Sequence, residues 1–148
     1  MYDSKNDTEQ HIEKVNFYLF KFIFNMVKEG LEHDRSKLFP PEKEIFDEFT
    51  PKLKELTYGG DEYKKCLQKM NVALEHHYKN NSHHPEFFEN GISDMNMLHL
   101  IVMLADWKAA ATRHSDGDIL KSLEINRKRF KMSDQLYNLL KNTLPLFD

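Results

Sequence analysis

The chain has 148 residues, 40% hydrophobic and 30% charged, with a formal net charge of −3; this is enough to bury one continuous core over 1–148, and it excludes a disordered polar chain. An isoelectric point near 6.2 leaves no broad basic field, which excludes duplex nucleic acid as the main ligand but not a local basic pocket for one phosphate. The single Cys66 forms no internal disulfide, and with neither a leader-like start nor an apolar run of ~18 residues the expectation is a cytoplasmic protein without a membrane anchor.

Taken in chain order, the apolar residues recur with a helical period. "DTEQ" at 7–10 reads as a capping box. The helix it opens carries Val15, Tyr18, Phe22 and Met26 on one stripe and is expected to stop near Gly30. "FPPE" at 39–42 opens a second helix with Ile45, Phe46, Phe49 and Leu53 as its stripe. "YGGDEY" precedes a third, expected from Asp61 to about Tyr78, with Tyr63, Leu67, Met70 and Leu74 facing inward and Cys66 as a packing residue. A polar loop at 79–92 leads into a strongly apolar fourth helix, "SDMNMLHLIVMLADWKAAATRH". "SDGD" at 115–118 breaks the chain before a fifth helix through Phe130, and Ser133 caps a short last one. No segment alternates as a strand does. The expected fold class is therefore all-α, a single-domain bundle of about six helices.

Several ionisable residues fall on core-facing positions of that scaffold, where burial is costly without compensation. His11 stands four residues before Val15 and continues its stripe. In the third helix the positions 63, 67, 70, 74 and 77 share a face, which includes His77 and turns His76 about 100° away. Asp106 shares a face with His99, Val102 and Met103. The dyad His33-Asp34 follows the first helix, and "SHHPE" places His83 and His84 in a loop, where periodicity does not choose between them. Singly, each has an ordinary explanation as a core or solvated residue. Together they match the imidazole and carboxylate ligands of a divalent metal, with no thiolate required.

In order, His11, His33-Asp34, His77, His83/His84 and Asp106 resemble the H…HD…H…H…D pattern of the HD-domain superfamily of metal-dependent phosphohydrolases, an all-helical fold. The segments "HDRSKL", "ALEHHYKNNSHHPE" and "MLADWKAAATRH" are similar to a family of small HD-like proteins of bacteria and their phages. The resemblance implies that His11, His33, Asp34 and Asp106 hold a first metal, and that the additional histidines hold a second, with Asp34 bridging the two. "SHHPEFFENG" lacks a Gly-Tyr-Pro segment, which sets the chain apart from the cyclic di-GMP branch.

The chemistry implied is phosphoester hydrolysis by a water activated between two divalent ions (Mn, Mg, Co, Ni, Fe or Zn), on a nucleotide, cyclic nucleotide or other small phosphoester. Lys37, three residues after Asp34, and Arg113, seven after Asp106, are the expected phosphate donors. Lys108, Asn126, Arg127 and Arg129 are weaker candidates for that role. Glu86 reads as a loop carboxylate or a histidine orienter, and His99 as a hydrogen-bonded core residue. His114 reads as solvated, and Trp107 as a packing residue. The same ligands suit a mixed-valent di-iron oxygenase, and a nucleotide-binding module without catalysis is a further alternative. A homodimer is the default assembly.

Overall fold

The computed structural model describes residues 2–57, 59–113 and 117–148, which are helical with no strand among them. The fold is all-α, as the periodicity predicts. The chain divides into two compact units, Met1–Glu32 and His33–Asp148.

The first unit is one 28-residue helix, α1 (Lys5–Glu32). It begins before the expected capping box, because Thr8 already donates its N–H to the Ser4 carbonyl, which puts Asp7 inside the first turn. It also runs through Gly30. No residue of α1 is buried, and Val15, Tyr18 and Phe22 are all exposed. Within this unit nothing covers the stripe of Val15, Tyr18 and Phe22, since a lone helix has no neighbour of its own. His11 also lies on this helix, in the first unit.

The second unit holds α2 (Glu42–Lys54), α3 (Asp61–Lys69), α4 (Asn71–Asn80), α5 (Met97–Ala111), α6 (Ile119–Arg129) and α7 (Asp134–Thr143). Short 3-10 turns at Arg35–Leu38, Pro85–Phe87, Gly91–Asp94 and Leu144–Phe147 join or close them. Among the described residues seven α-helices replace the six expected, because the expected 61–78 helix is two. Met70 leaves the helical region at ψ 4° and serves both as the C-cap of α3 and the N-cap of α4. The inward face carries across the break, with Met70, Ala73 and His77 buried and Cys66 beside them, as its stripe position predicts.

The larger core forms where α5, α6 and α7 meet. Met103, Leu104, Leu123 and Leu140 are almost fully buried, with Trp107 and Phe130 packed against them in parallel planes. Caps fix the ends of these helices. Asn96 and His99 form a capping box at the start of α5, Asp118 accepts from the N–H groups of Leu120 and Lys121, and Ser133 accepts from Leu136. His99 is thus a cap rather than a core residue. Lys108, a weaker candidate for a phosphate donor, pairs with Asp148. His114 and the "SD" at 115–116 lie outside the described residues.

Candidate metal centre

The site is built on the two ends of one short path: the turn between His33 and Leu38, and the C-terminal end of α4 with the loop after it. Asp34 takes a left-handed backbone, φ 62° and ψ 1°, a conformation that short polar residues such as Asp and Asn tolerate best among those with a side chain. Lys37 donates to the Asp34 carbonyl through its N–H and to Asp34 Oδ2 through its ammonium, 2.6 Å away. The expected link between Lys37 and the dyad is therefore a direct ion pair.

Across from this turn, Asp34, His77, His83 and His84 each offer a ligand atom within 4.8 Å of the others. His77 Nε2 is 3.2 Å from Asp34 Oδ1 and 2.9 Å from His84 Nε2, and His83 Nε2 is 3.5 Å from the same carboxylate oxygen. Neither approach to Asp34 Oδ1 is aligned as a hydrogen bond. Oδ1 and His83 Nε2 are both buried without a partner, an arrangement that native interiors rarely leave uncompensated. Converging imidazole lone pairs and an orphaned carboxylate oxygen are what a divalent cation satisfies, so the donor set fits one.

A second group, His33, Asp34 and Asp106, overlaps the first through Asp34. His33 is exposed, its ring edge-on to that of His83 at 5.8 Å. Thus His33, Asp34, His77, His83, His84 and Asp106 come together in two groups that share one aspartate. Both loop histidines belong, where the sequence leaves the choice open. His11 lies in the other unit. Arg113 is exposed and lines a cavity that also reaches Asp34, His77 and His84.

Beneath His77 lies Glu42, a residue that helical spacing alone does not single out. It stands at the start of α2 and is completely buried. Its Oε1 meets His76 Nδ1 at 2.7 Å, and its Oε2 meets His77 Nδ1 at 2.9 Å and Ser36 Oγ at 3.0 Å. The hydrogen-bond partners favour one tautomer of His77. The two amide hydrogens of Asn81 go to the His77 carbonyl (2.7 Å) and to Ser36 Oγ (2.8 Å). The Ser36 hydroxyl in turn donates to Glu42. Glu42 is then the acceptor for His77 Nδ1–H, which leaves the Nε2 lone pair facing Asp34 and His84. This is the carboxylate–histidine support that metal ligands ordinarily require.

The signal for Glu42 is present in the sequence all the same. Positions 42, 46, 49 and 53 step by four, three and four, so Glu42 continues the apolar stripe of α2. Its place in "FPPE" reads equally well as an acidic first-turn residue complementing the helix dipole, which hides it. His76, half-buried, holds the outer side of Glu42 and stays out of the metal group. Glu86 and Arg129 pair with each other at 2.5 Å, and the Arg129 guanidinium also reaches the Tyr78 hydroxyl. Arg127 pairs with Asp134 and stacks on Tyr137. Both arginines are therefore engaged within the protein.

Electrostatics follow from this packing. Burial pushes the Asp34 carboxyl up, and the Lys37 ammonium paired with it at 2.6 Å pulls it below the usual carboxylate range. Burial, reinforced by His83 and His77, lowers His84 from its ordinary 6.5 to about 2. His84 is thus a neutral imidazole, as a ligand must be.

A depressed histidine favours folding above pH 6.5, and that contribution is lost as the unfolded imidazole takes up a proton at lower pH. Chelator-treated protein is therefore expected to lose melting temperature steadily from pH 7 to pH 5, with His84→Phe flattening the slope. A melting temperature that holds constant from pH 7 to pH 5 in the unsubstituted protein would contradict this assignment.

The fold and the site together define an all-helical chain with a candidate histidine–aspartate metal centre. It belongs to a family of unknown function, DUF5662, whose model matches residues 1–146. No curated protein and no solved structure matches it. No helix among the described residues is long and apolar enough to cross a membrane.

Proposed function

We propose that this chain is a metal-dependent phosphohydrolase of the HD-domain type, acting on a small phosphoester such as a nucleotide or cyclic nucleotide. The observation that carries the reading is Asp34, one carboxylate shared between a three-histidine group and the His33–Asp106 pair. It lies beside a cavity that also reaches Lys37 and Arg113.

Asp34, His77, His83 and His84 would hold one divalent ion, and His33, Asp34 and Asp106 a second. Ions held there would supply positive charge to a phosphoryl oxygen and lower the pKa of the attacking water. The protein's own groups do the rest. Glu42 keeps the proton of His77 on Nδ1, so that Nε2 faces the site. Lys37 sets the Asp34 carboxylate through the 2.6 Å pair and presents an ammonium to the phosphate oxygens, its position steadied by the Phe46 ring 5.1 Å away. Arg113, with no ion pair among the described residues, supplies a second cationic donor at the cavity wall. Neutral His84 does not serve as a general acid at neutral pH.

The test is a panel of phosphoesters against protein reconstituted with each divalent metal in turn. The expected result is phosphate release with Mn, Mg, Co or Ni, lost in His33→Ala/Asp34→Ala. Iron at about two per chain with turnover that depends on dioxygen would replace the hydrolase reading with a di-iron oxygenase. A double variant that lost metal but kept its cellular activity would show a non-catalytic binding module.

A further inference from the structure

Within the second unit a cavity of about 590 Å³ opens from the metal group. Asp34, His77 and His84 line one part of it, and its walls come from five helices: Leu53 of α2, Leu67 of α3, Leu74 of α4, Trp107 of α5 and Ile125 of α6. That volume lies within the ordinary range for small-molecule sites, ~300–1,000 Å³. Two phosphate oxygens and an ion or two account for little of it. What remains is mostly aliphatic and aromatic wall.

Charge on the lining is one-sided. Lys54, Arg113 and Lys121 border the cavity and have no ion pair among the described residues. The other two cations on the lining, Lys37 and Arg129, pair with Asp34 and Glu86. Of the lining carboxylates, Asp34 belongs to the metal group and Asp118 is occupied as the cap of α6. An apolar chamber bordered by unpaired cations and ending in a metal group suits an anion with a bulky apolar body. It offers little to a small polyhydroxylated one, whose hydroxyls would lose water against Leu53, Leu67 and Ile125.

We propose that this cavity takes the organic group of the substrate, and that among phosphomonoesters those with a large, flat organic group are preferred over small polar ones. The assignment rests on the phosphohydrolase reading for its chemistry and on the cavity for its selectivity. The bond broken is the P–O bond, water supplying oxygen to phosphorus and the alcohol leaving with a proton.

The test compares 2-(naphthyl)ethyl phosphate with ethyl phosphate in the metal-reconstituted full chain, because their leaving alcohols are of similar basicity and differ mainly in apolar bulk. The expected kcat/KM ratio is about 100 in favour of the naphthyl ester, given the apolar area that the ring buries. Ala111 of α5 also lines the cavity, and Ala111→Trp, which fills it, is expected to reduce that ratio about tenfold by raising KM for the naphthyl ester. Leu67→Gln, which keeps volume but makes the wall polar, is expected to act in the same direction, and thermal melts of both variants establish that they fold.

Equal kcat/KM for the two esters would overturn the selectivity while leaving the hydrolase intact. If no ester is turned over with any metal, the hydrolase reading fails separately. Calorimetric binding of 2-(naphthyl)ethylphosphonate then decides the cavity: binding weakened by Ala111→Trp sustains the inference, and binding that is absent or insensitive to it overturns it.

Discussion

Replacing Asp34 with asparagine is expected to remove divalent-cation binding at both overlapping groups and, with it, phosphoester turnover. Asparagine is the informative choice because it keeps the shape and tolerates the left-handed backbone at φ 62°, whereas alanine adds backbone strain to the loss of the ligand. The charge removed is the one that His77, His83 and Lys37 all face. Loss of a residue that merely orients a ligand costs roughly 10–100-fold in metal affinity. A carboxylate shared by two groups should cost more than the upper end of that range, read as the shift in a calorimetric titration with manganese. Melting of the chelator-treated variant near the unsubstituted protein's temperature separates this effect from misfolding. Affinity within a few fold of the unsubstituted protein would exclude Asp34 as a ligand.

The second large effect belongs to Glu42, which would touch no metal. Glu42→Leu leaves His76 Nδ1, His77 Nδ1 and the Ser36 hydroxyl without their common acceptor in a fully buried place. Breaking a buried charged network by removing one partner typically costs ~3–5 kcal/mol, and urea denaturation of the metal-free protein should show a loss of that order. Glu42→Gln keeps the volume and one acceptor, so it is expected to cost about 1–3 kcal/mol. It should still weaken manganese binding by roughly 10–100-fold, because His77 is then free to turn or to change tautomer. His76→Ala is the control: it removes only the outer contact of Glu42 and should leave metal affinity close to that of the unsubstituted protein. If Glu42→Gln weakened folding but left metal affinity untouched, Glu42 would be a structural residue alone.

Residue by residue, the site is legible where helical periodicity reaches. The steps 63, 67, 70, 74 and 77 separate His77 from His76, and the structure buries the first in the metal group and leaves the second half-exposed. They do so even though the helix breaks at Met70, because the break preserves the face. Glu42 obeys the same rule on α2 and is concealed by a second, equally sound reading of its position. His83 and His84 sit in irregular backbone, where no period applies, and only three-dimensional placement shows that both belong. The roles of Ser36 and Asn81 are of the same kind. Their hydrogen bond joins residues 45 apart, a pairing that spacing cannot express. The α1 stripe shows the opposite limit. Periodicity shows that Val15, Tyr18 and Phe22 lie on one side of a helix, but it does not say what covers that side, and in the structure all three are exposed.

Metal stoichiometry decides whether Asp34 and the three histidines form a metal centre. Protein purified without chelator, or dialysed against manganese and then freed of excess, is expected to carry at least one divalent ion per chain by elemental analysis. That content should disappear in Asp34→Asn and persist in His76→Ala. An unsubstituted protein that takes up no divalent ion, or one whose uptake is the same with and without the Asp34 carboxylate, would exclude a metal centre at these residues.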